Sequence, residues 1–134
     1  MPHLVVLYSG NLETETDVTA LCRRLADAML SVRDEQGQQV YPTGGVRVFA
    51  YPASHYAVAD GARDYAFVYL NLRMGRGRTA AVKQRAGEIL LAAAKAHFEP
   101  LFAGRYIGLT VQVDEGQEVF DAKHSTIHPL FRKP

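Results

Sequence analysis

Apolar positions recur along this chain in two rhythms, one of period two and one of helical period. In residues 3–9, Leu4, Val6 and Tyr8 face one side and Val5 and Leu7 the other. A short strand that is apolar on both faces belongs in the middle of a sheet. Gly10 and Asn11 then predict a turn. Val18, Leu21, Cys22, Leu25, Met29 and Val32 fall at helical spacing and make one apolar stripe. Thr14 and Asp17, at capping-box spacing, predict that this helix starts there and runs to about Arg33. Residues 34–45 hold three glycines and one proline and read as a polar loop. Alternation returns in a second strand over 46–51 and in the strongest strand, Asp64 to Met74. There Tyr65, Phe67 and Tyr69 oppose Ala66, Val68, Leu70, Leu72 and Met74. After the turn Gly75 to Arg78, Thr79 starts a second helix with Val82, Ala86, Ile89, Leu90, Ala93 and His97 as its stripe. Pro100 is expected to close it. A last strand, Arg105 to Asp114, buries Ile107, Leu109, Val111 and Val113. The apolar residues Phe120, Ile127, Leu130 and Phe131 predict a tail that packs on something.

The element order is β-α-β-β-α-β, and the two halves resemble each other. Each half can form a right-handed βαβ unit. Two such units predict an α+β fold, a two-layer α/β sandwich with pseudo-twofold symmetry, in which both helices lie on one face of a four-stranded sheet. The chain reads as a single domain, residues 1–134. Helices on one face leave the Tyr- and Phe-bearing side of the strand at 64–74 to be covered by something else. Two occupants stay open: copies of the same subunit, or a bound ligand such as RNA.

Composition narrows the classes. A chain of 134 residues with 48% hydrophobic and 22% charged residues can bury a core and is expected to be globular. A net charge of +1 argues against strong non-specific affinity for nucleic acid or an anionic membrane. Cys22 is the one cysteine, which rules out an intrachain disulfide and a Cys-rich metal cage; within its helical stripe it reads as core packing. With no apolar run of membrane-spanning length and no signal peptide, a cytoplasmic protein is expected.

Candidate chemistry begins at Pro2. Methionine before so small a residue is usually trimmed, which would leave a secondary amine at the head of a sheet strand. Terminal amines titrate at about 7.7–8.0, and nearby cations or apolar burial lower that value, so such an amine can act as a base near neutral pH. The same dipeptide also opens many proteins without this role. Gly75-Arg-Gly-Arg78 sits between a strand and a helix start, where backbone N–H groups and the helix end favour an anion, and Arg76 and Arg78 add donors suited to a carboxylate. A basic surface turn is the alternative, and the missing third glycine excludes a dinucleotide fingerprint. Arg47 is the one charged residue among 46–51, so it is paired, solvated or reserved for an anionic ligand. His124 and His128 are four apart, but Pro129 opposes a helix and no carboxylate completes a site, so no metal is expected. Arg63 to Leu70 (RDYAFVYL) follows much of an RNA-recognition signature. Asp64 stands where that signature has glycine, and the charge is near neutral, both unfavourable to RNA.

Taken together, MPH before an apolar strand, ADGxxDYAFV (Ala59 to Val68), the GxGR turn (Gly75 to Arg78), AGE (Ala86 to Glu88) and HxLF (His128 to Phe131) resemble the 5-carboxymethyl-2-hydroxymuconate isomerase family of the tautomerase superfamily. The resemblance spans nearly the whole chain. Residues 33–45 depart from it in length and composition, and the second strand carries Arg47 alone where members can carry two nearby arginines. The resemblance implies a homotrimer, no metal or organic cofactor and a small-molecule carboxylate substrate; with the near-neutral charge, neither nucleic acid nor membrane is expected as a partner. It implies ketonisation of a 2-hydroxymuconate-type dienol in homoprotocatechuate (4-hydroxyphenylacetate) degradation, with Pro2 as proton shuttle and Arg47 and Arg78 as catalytic, substrate-binding arginines. A βαββαβ module that binds RNA or protein, and a tautomerase acting on another enol acid, are the alternative readings.

Overall fold

A computed structural model of the chain describes residues 2–131. The elements are β1 (His3–Ser9), α1 (Val18–Leu30), β2 (Val48–Ala53), β3 (Tyr65–Met74), α2 (Ala80–Phe102) and β4 (Tyr106–Glu115), with short 3-10 turns at Gly10–Leu12, Thr43–Gly45 and His128–Phe131. The four strands form one sheet in the order β2-β1-β3-β4. β1 runs parallel to β2 and β3 parallel to β4, while the central pair, β1 and β3, is antiparallel. This is the expected pair of βαβ units, joined back to front through their first strands.

The expected alternation puts Leu4, Val6 and Tyr8 of β1 and Ala66, Val68, Leu70, Leu72 and Met74 of β3 in the buried core. Against them pack Leu21, Leu25 and Met29 of α1 and Ala86, Leu90, Ala94 and Phe98 of α2. The opposite face carries Leu7, Phe49, Tyr51 and Phe67, all exposed in the single chain. Gly108 leaves room for the Phe67 ring there, since a Cβ at that position would collide with it.

Local chemistry moves several boundaries. α1 starts at Val18, not at Thr14, because Leu12 is fully buried and holds residues 10–16 in hydrogen-bonded turns. Asp17 then caps the helix, accepting from the Ala20 N–H at 3.0 Å. The helix stops at Leu30 rather than Arg33, since Asp34 accepts from the N–H groups of Gln36 and Gln38, and Gly37, at φ +76°, closes a tight turn. β2 lies two residues later than expected because its register on β1 runs from Leu4↔Val48 to Ser9↔Ala53. β4 is shifted by one residue, and its apolar side chains are only partly buried.

In α2, Thr79 is the cap, accepting from Val82 N–H at 3.2 Å. Ala94 and Phe98 complete the stripe, whereas His97 lies at its flank, 2.8 Å from the Thr16 hydroxyl. Pro100 does not close the helix: it sits within the last turn, and the helix continues to Phe102, which packs against the core. The tail docks through His128 against Thr43–Gly45, where a Cβ on Gly44 would meet the His128 Cα at 2.8 Å. Phe120, Ile127, Leu130 and Phe131 stay exposed in the single chain.

Candidate active site

Pro2 is buried directly ahead of β1. The strand is gripped from its first residues: His3 pairs with Arg73 of β3, and the Leu4 N–H donates to the Arg47 carbonyl at 3.0 Å. Two-sided pairing of this kind holds a terminus that would otherwise fray. Proline suits the first position of a strand, since it has no N–H to give to the ladder. Carried one residue back, the same register sets Pro2 beside Met74, the last residue of β3.

Met74 leads to Arg78 by way of a side chain from the loop after α1. The Tyr41 hydroxyl lies 3.6 Å from the Met74 sulfur, and the Tyr41 ring is fully buried. Over that ring, 4.9 Å from its centroid, sits the Arg78 guanidinium. Gly77, at φ +113°, turns the chain so that Arg78 reaches back and donates from Nη1 to the Gly75 carbonyl at 3.2 Å. Arg78 lines a pocket of about 280 Å³ together with Asp34, Glu35 and Gln39. Arg76, by contrast, is exposed.

Arg47 stands one residue ahead of β2, half-buried, and donates from Nη1 to the Gly45 carbonyl at 3.0 Å. It lines a separate pocket of about 180 Å³ with His3, Arg73 and Lys123. Two carboxylates face these cations: Glu118 lies 3.4 Å from Arg73 and Asp121 lies 2.5 Å from Lys123. His3 Nδ1 is buried and finds no partner among the described residues. Burial, and then the positive charge of Arg47 and Arg73, hold the His3 imidazole below its ordinary pKa, against an opposing pull from Glu118. His3 therefore favours the neutral form beside Pro2.

The three residues singled out from the chain are thus placed around one end of the sheet, but no described pocket of a single chain is lined by both arginines. Three neighbours were not foreseen. Arg73 belongs to the outward set of β3 and reaches Arg47 only through strand register. Lys123 comes from the tail. Tyr41 lies in what reads as a polar loop; its one signal is an aromatic between Val40 and Pro42. His124 lies in an irregular segment, and among the described residues no group of three or more His, Cys, Asp or Glu could hold a metal ion. Among those residues, too, no helix is long and apolar enough to cross a membrane.

Comparison with known proteins adds independent findings. The family model for 5-carboxymethyl-2-hydroxymuconate isomerase matches residues 2–131. The chain is 30% identical to the 5-carboxymethyl-2-hydroxymuconate Delta-isomerase of Escherichia coli over 98% of its own length and 100% of that protein. It is also similar to a crystal structure of a 5-carboxymethyl-2-hydroxymuconate delta-isomerase, at 58% identity and a TM-score of 0.95, covering 100% of this chain and 95% of that one. A 5-carboxymethyl-2-hydroxymuconate isomerase from Deinococcus radiodurans R1 follows at 35% identity and 0.87, over 98% and 95%. At 20% identity and 0.54, covering 97% of this chain and 99% of that one, a fused 4-OT solved as a symmetric trimer shares the fold alone.

Proposed function

The chain belongs to the 5-carboxymethyl-2-hydroxymuconate isomerase family, within the tautomerase superfamily, and we propose that it ketonises 5-carboxymethyl-2-hydroxymuconate through an N-terminal proline. The observation that carries this reading is the burial of Pro2 at the head of β1, at the end of the sheet where Arg47 precedes β2 and Arg78 follows β3. With Met1 removed, the Pro2 nitrogen is a secondary amine. Apolar burial and the nearby cations favour its neutral, proton-accepting form. It takes the proton from the 2-hydroxyl of the dienol; the electrons of the broken O–H bond form the ketone, and the conjugated system shifts toward a distant carbon. The ammonium then returns a proton to that carbon, so a C–H bond replaces the O–H bond with no net gain or loss. Arg47 and Arg78 hold carboxylates of the tricarboxylate substrate and stabilise the dienolate.

The assembly is a homotrimer in this reading. The uncovered face bearing Leu7, Phe49, Tyr51 and Phe67 supports it, as does the trimeric state of the fused 4-OT chain that shares the fold. The separation of Arg47 and Arg78 into two pockets of one chain supports a site completed by a neighbouring subunit. The reaction serves homoprotocatechuate degradation in the cytoplasm.

A UV-monitored ketonisation assay tests the reading, on protein shown by intact mass to have lost Met1. Turnover well above the uncatalysed rate is expected, with Pro2→Ala and Arg78→Ala each losing tenfold or more in kcat/KM. Absence of turnover by a trimmed, folded trimer would reject this substrate and leave other enol acids to be tried. Full activity in Pro2→Ala would remove the proline from the mechanism.

A further inference from the structure

We infer that Tyr41 is a positioning residue of this enzyme: its ring is the support over which the Arg78 guanidinium is held, leaving donors for a substrate carboxylate. The inference rests on the reading of Arg78 given above and goes beyond it by naming what orients that arginine. Arginine presents five N–H donors on a flexible stem. Within this chain the Arg78 side chain has one hydrogen bond, to the Gly75 carbonyl, among the described residues. One bond leaves rotation about its axis unchecked; the aromatic face 4.9 Å from the guanidinium carbon attracts the cation and restricts that freedom.

Tyr41 is itself held from three sides. Its ring is fully buried, its hydroxyl meets the Met74 sulfur at 3.6 Å, and its carbonyl accepts from Gln39 Nε2 at 2.7 Å. The Gln39 amide also donates to the Thr43 hydroxyl at 3.0 Å, which ties the loop on both sides of Tyr41. Thioether sulfur is a weak acceptor. The hydroxyl bond is therefore dispensable, and the ring is what the arrangement uses.

Steady-state kinetics with 5-carboxymethyl-2-hydroxymuconate test this on trimmed protein. Tyr41→Phe keeps the ring and should stay within about twofold of the parent in kcat/KM, since only a weak hydrogen bond is lost. Tyr41→Leu should lose about tenfold, as expected of a half-buried cation–π contact. In an Arg78→Ala background, Tyr41→Leu should cost nothing further, an outcome a purely structural role would not produce. Arg78→Lys keeps the charge but not the planar fork, and should lose about tenfold even if Tyr41→Leu fails to fold. Additive losses for Tyr41→Leu and Arg78→Ala, or full kcat/KM in Arg78→Lys, would overturn the support while leaving Arg78 as carboxylate ligand. Full kcat/KM in Arg78→Ala would remove both.

Discussion

Replacing Phe49 by aspartate should dissociate the proposed trimer while leaving each subunit folded. Phe49 points away from the helices on the edge strand β2, is 51% exposed in the single chain, and lies outside the buried core cluster. Covering the remaining half of a phenylalanine is worth about 1.5 kcal/mol. Enclosing an unpaired carboxylate at the same place costs about 3–5 kcal/mol more. Together these weaken each contact by about 5 kcal/mol, or three to four orders of magnitude in affinity. Within one subunit the same change should shift stability by only about 0.5 kcal/mol, the usual scale for an exposed site. Sedimentation velocity at micromolar protein gives the mass, circular dichroism the fold, and the ketonisation assay the activity. The expected variant is a folded monomer with little turnover. A parent protein that is already monomeric, or a Phe49→Asp protein that remains trimeric, would refute the assignment of this face to the interface.

Two further outcomes probe the frame that positions the site. Asp17→Ala removes the acceptor of the Ala20 N–H and should cost about 1 kcal/mol, read as a lower urea midpoint with unchanged slope. His97 is held below its ordinary pKa by burial and, less strongly, by Arg24, while Asp17 opposes the shift. The unfolded chain therefore takes up a proton as pH falls through about 6.5, before folded His97 does. Stability from this residue is complete above that pH and is lost as pH drops toward the folded value. Wild-type protein should lose more stability between pH 7.5 and 5.5 than His97→Gln, and equal losses would show that the imidazole is not protected in the fold.

The elements most legible in the chain were those whose burial follows a period. β1, β3 and the α1 stripe each bury one regular set of side chains, so their periods alone revealed them. Their edges were less legible because two physical signals competed. Thr14 and Asp17 both suit a helix start, and the tie is broken by Leu12, whose burial depends on the sheet beneath it. The position of β2 depends on pairing with β1, which local pattern does not encode. Tyr41 shows the limit most plainly. An isolated aromatic in a loop has no period, and its burial between Met74 and Arg78 exists only once β3 and the following turn are in place.

The residues proposed for the site could be named from the chain, whereas their arrangement could not. Pro2, Arg47 and Arg78 stood out by residue type and by resemblance, but which pocket each lines is a property of strand register. Pro2 continues the buried set of Leu4, Val6 and Tyr8, whereas Phe49 belongs to the opposite face. A charge at Phe49 is therefore kept from Pro2 by the sheet, but it stands two residues from Arg47 on the same strand. If that variant and a neutral Phe49→Ser variant are both folded monomers without activity, the loss passes through assembly and not through pairing of the new carboxylate with Arg47, and the division of Arg47 and Arg78 between two pockets is the physical reason one subunit is not enough. If the monomer turns over substrate normally, one chain holds the whole site, and the two pockets must act as one when substrate spans them.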